Sequence, residues 1–387
     1  MRINGRWTTP VNMGQKVNSA AWDSQPTLSA DGRLLIFSSR RLGSIGGADL
    51  WLTYRNEKDA WVTPVNLGLE INTAGDDESP FLHPDGVTLY FRSNGRPGMG
   101  GFDIYYSRKN DINGVWSQPV NIGYPINTEG NEGAFTVSLD GKKAYFASDM
   151  NYATGKKNDN LDIFSFDLYE EARPLPTTFI KGYVKDAVTN KPLKASVTIK
   201  DLASGAIKFQ IITDSSGYFI TGIASGRNYA CITENKDYQY IAQNFDLSAT
   251  NTVLKPYVLN IALMPIGKDK KSTEQPVILQ NIFFQSGSAE LLPESNVELD
   301  LLVLMLNRHP EMNITIIGHT DDVGEDSDNQ LLSEKRAAAV AKALFIKGIT
   351  ASRISSLGKG ESQPIASNDT EAGRKINRRT EFILSQK

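Results

Sequence analysis

The 387-residue sequence predicts a multidomain chain: a partial β-propeller of three four-stranded blades, a small β-sandwich, and a two-layer α/β domain. Three observations predict it. A motif repeats with a period of 54 to 55 residues through the first 170 residues. A Pro-rich break then gives way to short alternating strands, and a second, polar break gives way to alternating strands and helices. The boundaries fall at 1–172, 178–266 and 276–387.

The repeat opens with Trp7-Thr-Thr-Pro-Val-Asn-Met-Gly14 and recurs as Trp61-Val-Thr-Pro-Val-Asn-Leu-Gly68 and Trp116-Ser-Gln-Pro-Val-Asn-Ile-Gly123. Val17-Asn18, Ile71-Asn72 and Ile126-Asn127 follow in turn, then the turns Asp31-Gly32, Asp85-Gly86 and Asp140-Gly141, then an alternating aromatic strand such as Thr88 to Ser93. Each period holds four short strand signals and no helical periodicity, which is how a propeller blade is written. These blades resemble the PD40 (WD40-like) family of TolB-like envelope proteins. The chain opens on an outer strand (Ile3 to Val11) and leaves the repeat near Leu168, so three outer strands accompany three inner sets. That phase closes rings, yet propellers use four or more blades. The expectation is a fragment whose upstream blades are missing, or two chains sharing a six-bladed ring. Gly46-Gly-x-Asp49 and Gly100-Gly-x-Asp103 could offer oxygen ligands to a metal. The reading preferred is a turn in which Gly supplies a positive φ and Asp caps backbone amides.

Arg173-Pro-Leu-Pro176 reads as a stiff linker. Strands are expected over Phe179–Val184, Ala195–Lys200, Phe209–Thr213, Tyr218–Thr221 and Tyr229–Thr233, with Cys231 a buried small hydrophobe. The wording Gly182-Tyr-Val-Lys-Asp186, Lys191-Pro-Leu193, Thr213-Asp-Ser-Ser-Gly-Tyr-Phe219 and Gly226-x-x-Tyr229 resembles the carboxypeptidase regulatory-like (transthyretin-like) module, which implies a non-catalytic domain.

Beyond the polar linker Gly267–Pro276, strands are expected at Ile278–Phe284, Asn313–Ile317, Arg353–Leu357 and Arg379–Leu384. Helices are expected over Glu294–Asn307, with Pro293 in its first turn, and over Ser333–Lys347. Phe284-x-x-Gly-Ser-Ala289, Gly318-His-Thr-Asp321-x-x-Gly324, Asn329-x-x-Leu-Ser333-x-x-Arg-Ala337-x-x-Val340, Gly358-x-Gly-Glu361 and Gly373-Arg-x-x-Asn377-Arg-Arg379 stand in order. Together they resemble the OmpA C-terminal (OmpA/Pal/MotB-like) peptidoglycan-binding domain. The resemblance implies a ligand, the meso-diaminopimelate side chain of a stem peptide, which ends in an ammonium and a carboxylate on one carbon. It assigns Asp321 to the ammonium, Arg336 to the carboxylate, and Thr320, Asn329 and Leu332 to the pocket wall. Arg378 and Arg379 would add rim charge. With Ser333 as N-cap, Arg336 would sit in a first helical turn, where free N–H groups also favour anions. The alternative is a purely structural Asp321–Arg336 ion pair. Asp322, Asp326 and Asp328 make the loop acidic, but Glu325 to Asn329 lacks the glycine and distal glutamate of an EF-hand. His319 is expected to orient the strand end, and His83 and His309 to lie in turns without partners.

Composition bounds the function. Lys+Arg 41 against Asp+Glu 44 gives a net charge of −3, against a duplex nucleic-acid binder. One cysteine excludes an internal disulfide or a multi-thiolate metal site. No apolar run approaches the roughly 20 residues that span a bilayer. Neither Gly-x-Ser-x-Gly nor His-Glu-x-x-His occurs, so no enzyme, cofactor or metal is expected. The domain order resembles the PorE-type subunits of the type IX secretion system of Bacteroidota. That resemblance implies a periplasmic scaffold, associated with the outer membrane, that ties a secretion complex held by the propeller to peptidoglycan. A Tol–Pal-like stabiliser is the alternative, and a propeller-gated peptidase fragment a remote one. The N-terminus has no apolar leader segment, so an export or lipoprotein signal is expected upstream of Met1.

Overall fold

The computed structural model describes residues 2–3, 6–7, 9–56, 58–110, 113–247, 256–266 and 276–386. The chain divides into two compact units, one built chiefly from residues 1–180 and the other from Lys181–Ile220, Gly226–Ala249 and Val258–Lys387.

The first unit is a series of small antiparallel meanders. β1 (Arg2–Ile3) pairs with β2 (Arg6–Trp7). The first repeat sheet holds β3 (Asp23–Leu28), β4 (Leu34–Ser39), β5 (Asp49–Tyr54) and β6 (Val65–Asn66) in that order. The second holds β7 (Asp77–Leu82), β8 (Thr88–Ser93), β9 (Asp103–Arg108) and β10 (Val120–Asn121). The third holds only three strands, β11 (Glu132–Val137), β12 (Lys143–Asn151) and β13 (Lys156–Asp167). Its missing fourth strand has a sequence cause. In the first two sheets that strand is the Val-Asn of the following period, and no fourth Pro-Val-Asn follows Asp167. In place of the expected outer strand from Ile3 to Val11, Arg2–Ile3 pairs with Arg6–Trp7, and residues 9–12 lie in no strand. Ile163, at the position of the fully buried Leu50 and Ile104, is 83% exposed on the β13 edge.

Successive repeats interlock through polar side chains. Asn72 stands in for a strand: its Oδ1 accepts from Leu50 N at 2.8 Å and its Nδ2 donates to Leu50 O at 3.0 Å. Asn127 does the same to Ile104. Asp49 accepts from Ile45 N and Gly46 N, as the turn reading expects, but the paired glycines serve another purpose. Neither has a positive φ; a Cβ on Gly46 would lie 2.2 Å from Gly75 O, and one on Gly100 2.4 Å from Thr128 O. They let the next repeat's loop press against the backbone. The first strand of every repeat also carries a β-bulge centred on a non-Gly residue in the left-handed region, Gln25, Ser79 and Ala134. His83 is fully buried and does have partners, Asp85 N and Ser138 O, while His309 meets Glu311. Arg173–Pro176 is pinned rather than free, since Arg108 donates to Arg173 O and Leu175 N donates to Asp85.

The strands of the expected sandwich are β14 (Thr177–Asp186), β15 (Ser196–Asp201), β16 (Ile207–Ile212), β17 (Tyr218–Ala224), β18 (Asn228–Glu234), β19 (Ile241–Asp246) and β20 (Tyr257–Leu263), most of them in the second unit, with the start of β14, the end of β17 and Tyr257 in the first. They form the sheets β17-β14-β20 and β16-β15-β18-β19. Cys231, on β18, is fully buried, and burial pushes its thiol up to about 12.

The expected linker 267–276 lies outside the described residues except for Pro276. Beyond it come β21 (Val277–Leu279), α1 (Asn296–Arg308), β22 (Met312–Gly318), α2 (Asp326–Ile346), β23 (Ile354–Gly358), α3 (Glu371–Asn377) and β24 (Thr380–Gln386). The sheet order is β21-β24-β22-β23, with β23 parallel and β24 antiparallel to β22. β21 stops five residues before Phe284, which only bridges Leu291. One apolar core serves both parts of this unit: Ile232, Tyr240 and Ala242 of the sandwich join Leu302, Leu306, Ile316, Val340 and Phe382. Within it Glu298 accepts from Tyr240 Oη at 3.0 Å and from Asn281 Nδ2 at 3.0 Å. Burial pushes that carboxyl up to about 7, against the pull of the hydrogen bonds from Asn281 and Tyr240.

Candidate functional site

The candidate site gathers where β22 ends. Gly318 closes that strand, and a Cβ there would lie 2.3 Å from Ser333 O, so only glycine lets α2 cross so near. The chain then turns through His319, Thr320 and Asp321, all buried. Thr320 N donates to Gly360 O, and Asn329 Nδ2 reaches Glu361 at 2.7 Å and Asp321 O at 3.3 Å. These bonds fix the loop against the segment after β23.

Asp321 does not pair with Arg336. Its Oδ2 accepts from Arg378 Nη1 at 2.5 Å and its Oδ1 from Val323 N at 3.3 Å. Arg378 also donates to Glu371 at 2.6 Å, and hydrogen bonds to Glu371 and Asp321 push its guanidinium further up. The residue expected at the rim is therefore the direct partner of the site's acid.

Arg336 lies in the third turn of α2, not the first. The helix starts at Asp326, seven residues before Ser333, and its first turn is acidic. Asp326 and Asp328 there complement the positive end of the helix dipole. Ser333 is no cap: its hydroxyl donates back to Gln330 O and accepts from Gly360 N. The first-turn contribution to anion binding therefore falls away. Arg336 Nε donates to Ser288 O at 3.0 Å, and the guanidinium lies 5.2 Å over the Phe284 ring. Its remaining N–H groups make no hydrogen bond or ion pair with the described residues. Burial, and Arg378 beside it, pull its pKa down against the attraction of Asp321.

Leu332 is half-buried on α2. Arg379 is not a rim charge: its side chain is 6% exposed and its Nε donates to Glu381 Oε1 at 2.6 Å. Glu381 also meets His319 Nε2 at 3.2 Å. Burial pushes that carboxyl up, but His319 and Arg379 more than offset it and hold it below the usual range. His319 thus orients through Glu381. The Thr320 hydroxyl and His319 Nδ1 are buried without a partner among the described residues.

The geometry is an acid held by one arginine beside a second arginine with an unused fork. Such a pair can meet an ammonium and a carboxylate together. Sequence reasoning missed Arg378 as the anchor of Asp321, and missed Ser288 and Phe284 as the grip on Arg336. The Phe284-x-x-Gly-Ser-Ala289 motif was the available signal for the latter. Among the described residues no group of three or more His, Cys, Asp or Glu could hold a metal ion, and no helix is long and apolar enough to cross a membrane.

Residues 283–378 match the OmpA family, so the C-terminal domain is OmpA-like. Over 105 residues the chain is 42% identical to the probable lipoprotein YiaD of Escherichia coli, covering 27% of this chain and 48% of that protein. It is 37% identical over 124 residues to outer membrane protein A of Bordetella avium (32% and 64%). It is 36% identical over 104 residues to the peptidoglycan-binding protein ArfA of Mycobacterium tuberculosis (27% and 32%). Among solved structures, the peptidoglycan-associated lipoprotein of Burkholderia pseudomallei is 29% identical with a TM-score of 0.26, covering 27% of this chain and 88% of that one. The chain spans less than two thirds of the length of each of the three curated relatives.

Proposed function

We propose that this chain is a non-catalytic cell-envelope scaffold that binds peptidoglycan through its OmpA-like domain. Asp321, oriented by Arg378, takes the ammonium of a meso-diaminopimelate side chain and Arg336 takes its carboxylate. Thr320, Asn329 and Leu332 form the wall. The observation that carries this reading is the unused fork of Arg336 beside the Asp321–Arg378 pair, inside the segment that matches the OmpA family. The name of ArfA, a relative over the same domain, points the same way. The repeat sheets act as part of a β-propeller and present a protein-binding surface, and the transthyretin-like sandwich joins them to the anchor. In this reading the protein is periplasmic and ties a type IX secretion complex to the wall.

The test is co-sedimentation of the full chain with peptidoglycan sacculi. Wild type pellets with the wall. Arg336→Ala weakens binding by about tenfold or more, because it removes a charge-assisted bidentate contact. A folded wild-type chain that stays in solution would sink the proposal.

A further inference from the structure

The second unit contains a cleft of about 1260 Å³ that the resemblance to isolated wall-binding domains does not account for. Arg336, Arg378 and Lys375 line it from the OmpA-like domain, and Arg227 and Asn244 line it from the sandwich. The two walls are fixed to each other. Ile232, Tyr240 and Ala242 share the core of the OmpA-like domain, Tyr240 donates to buried Glu298, and Asn244 Nδ2 reaches Gln280 O at 3.3 Å.

The lining mixes apolar side chains such as Phe283, Phe284 and Leu292 with charged ones, and carries more cations than acids; the carboxylates along it are Asp201 and Glu294. Asp201 is already paired with Arg227 at 3.0 Å, whereas Arg336 and Lys375 make no ion pair with the described residues. An occupant that enters beside Arg336 and carries further carboxylates suits this surface. A stem peptide has that chemistry: its acidic residue and free C-terminus flank the diaminopimelate.

We infer that the sandwich is the second wall of the ligand site, so that the chain reads the anionic peptide flanking diaminopimelate and not the diamino acid alone. This rests on the wall-binding reading above. The sandwich then adds specificity for stems that keep a free terminal carboxylate, at a surface that a lone OmpA-like domain lacks.

The test uses the full chain and two probes, free meso-diaminopimelate and the soluble tetrapeptide L-Ala-D-Glu-meso-diaminopimelate-D-Ala, titrated by NMR. Ala203 is exposed on the sandwich side of the cleft, so Ala203→Trp narrows the cleft and Ala203→Asp adds a repelling charge without removing a bond that ties the two walls together. Both variants should bind the tetrapeptide about fivefold or more weakly than wild type. Their affinity for free diaminopimelate should be unchanged, which also shows that they fold. If wild type and both variants bind the tetrapeptide alike while Arg336→Ala binds neither probe, the second wall is refuted and the anchor stands. If wild type binds neither probe, both readings fall.

Discussion

Glu298 ties the sandwich to the OmpA-like domain and makes that union sensitive to pH. The carboxyl lies in the shared core, held by Tyr240 Oη and by Asn281, with its pKa pushed up to about 7 from an ordinary 4.5. The folded state therefore binds the proton more tightly than the unfolded chain. Its contribution to stability is complete below pH 4.5 and is lost as the pH rises through 7. At 1.36 kcal/mol per pKa unit, the loss comes to about 3 kcal/mol. For a unit of this size that is roughly 6–12 °C in Tm. Glu298→Gln keeps the shape and removes the titration. Calorimetry of the full chain at pH 5 and pH 8 reads the effect, and fluorescence assigns it, because all five tryptophans precede residue 117 and report on the first unit alone. The transition that is silent in tryptophan fluorescence should fall in wild type between the two pH values and move far less in Glu298→Gln. Equal shifts in both proteins, or a wild-type transition that rises, would refute the reasoning.

Asn72→Ala should destabilise the first unit by about 1–3 kcal/mol, because it leaves Leu50 N unpaired in the interior while Leu50 O keeps Leu67 N; a lowered denaturant midpoint in tryptophan fluorescence checks this. Cys231, with burial pushing its thiol up to about 12, should resist a thiol reagent in native buffer. It should react only as the sandwich unfolds, so labelling that is complete before the calorimetric transition would contradict its placement.

Much of the fold was legible because its signals are local. The period of the Trp-x-x-Pro-Val-Asn motif located the sheets, and the alternation in Thr88–Ser93 or Asn313–Ile317 gave strands within a residue or so of β8 and β22. At the candidate site, Asp321 lies in the loop after β22 and Arg336 on α2, near enough for their charges to interact. What failed was non-local or ambiguous. Ser333 has the chemistry of an N-cap, but its hydroxyl is used by Gln330 O and by Gly360, far along the chain, and the acidic run before it is the helix's true first turn. Arg378 meets Asp321 across 57 residues, a pairing no spacing rule announces. Ile232 and Tyr240 alternate as ordinary sandwich residues, and nothing local says that their partners are Leu302 and Phe382. The bulges at Gln25, Ser79 and Ala134 share a position in the period but no residue type, so composition could not reveal them.

The shared core also sets how the molecule carries tension. A pull applied at Asp321 enters β22, whose two edges are laced to β23 and β24. Load along that strand meets both ladders in shear, so their hydrogen bonds must yield together and not one after another. From β22 the load passes into β18 and β19 through packed side chains and through the Tyr240–Glu298 bond, in parallel with the covalent chain. β18 and β19 would stretch with the OmpA-like domain as one stiff body.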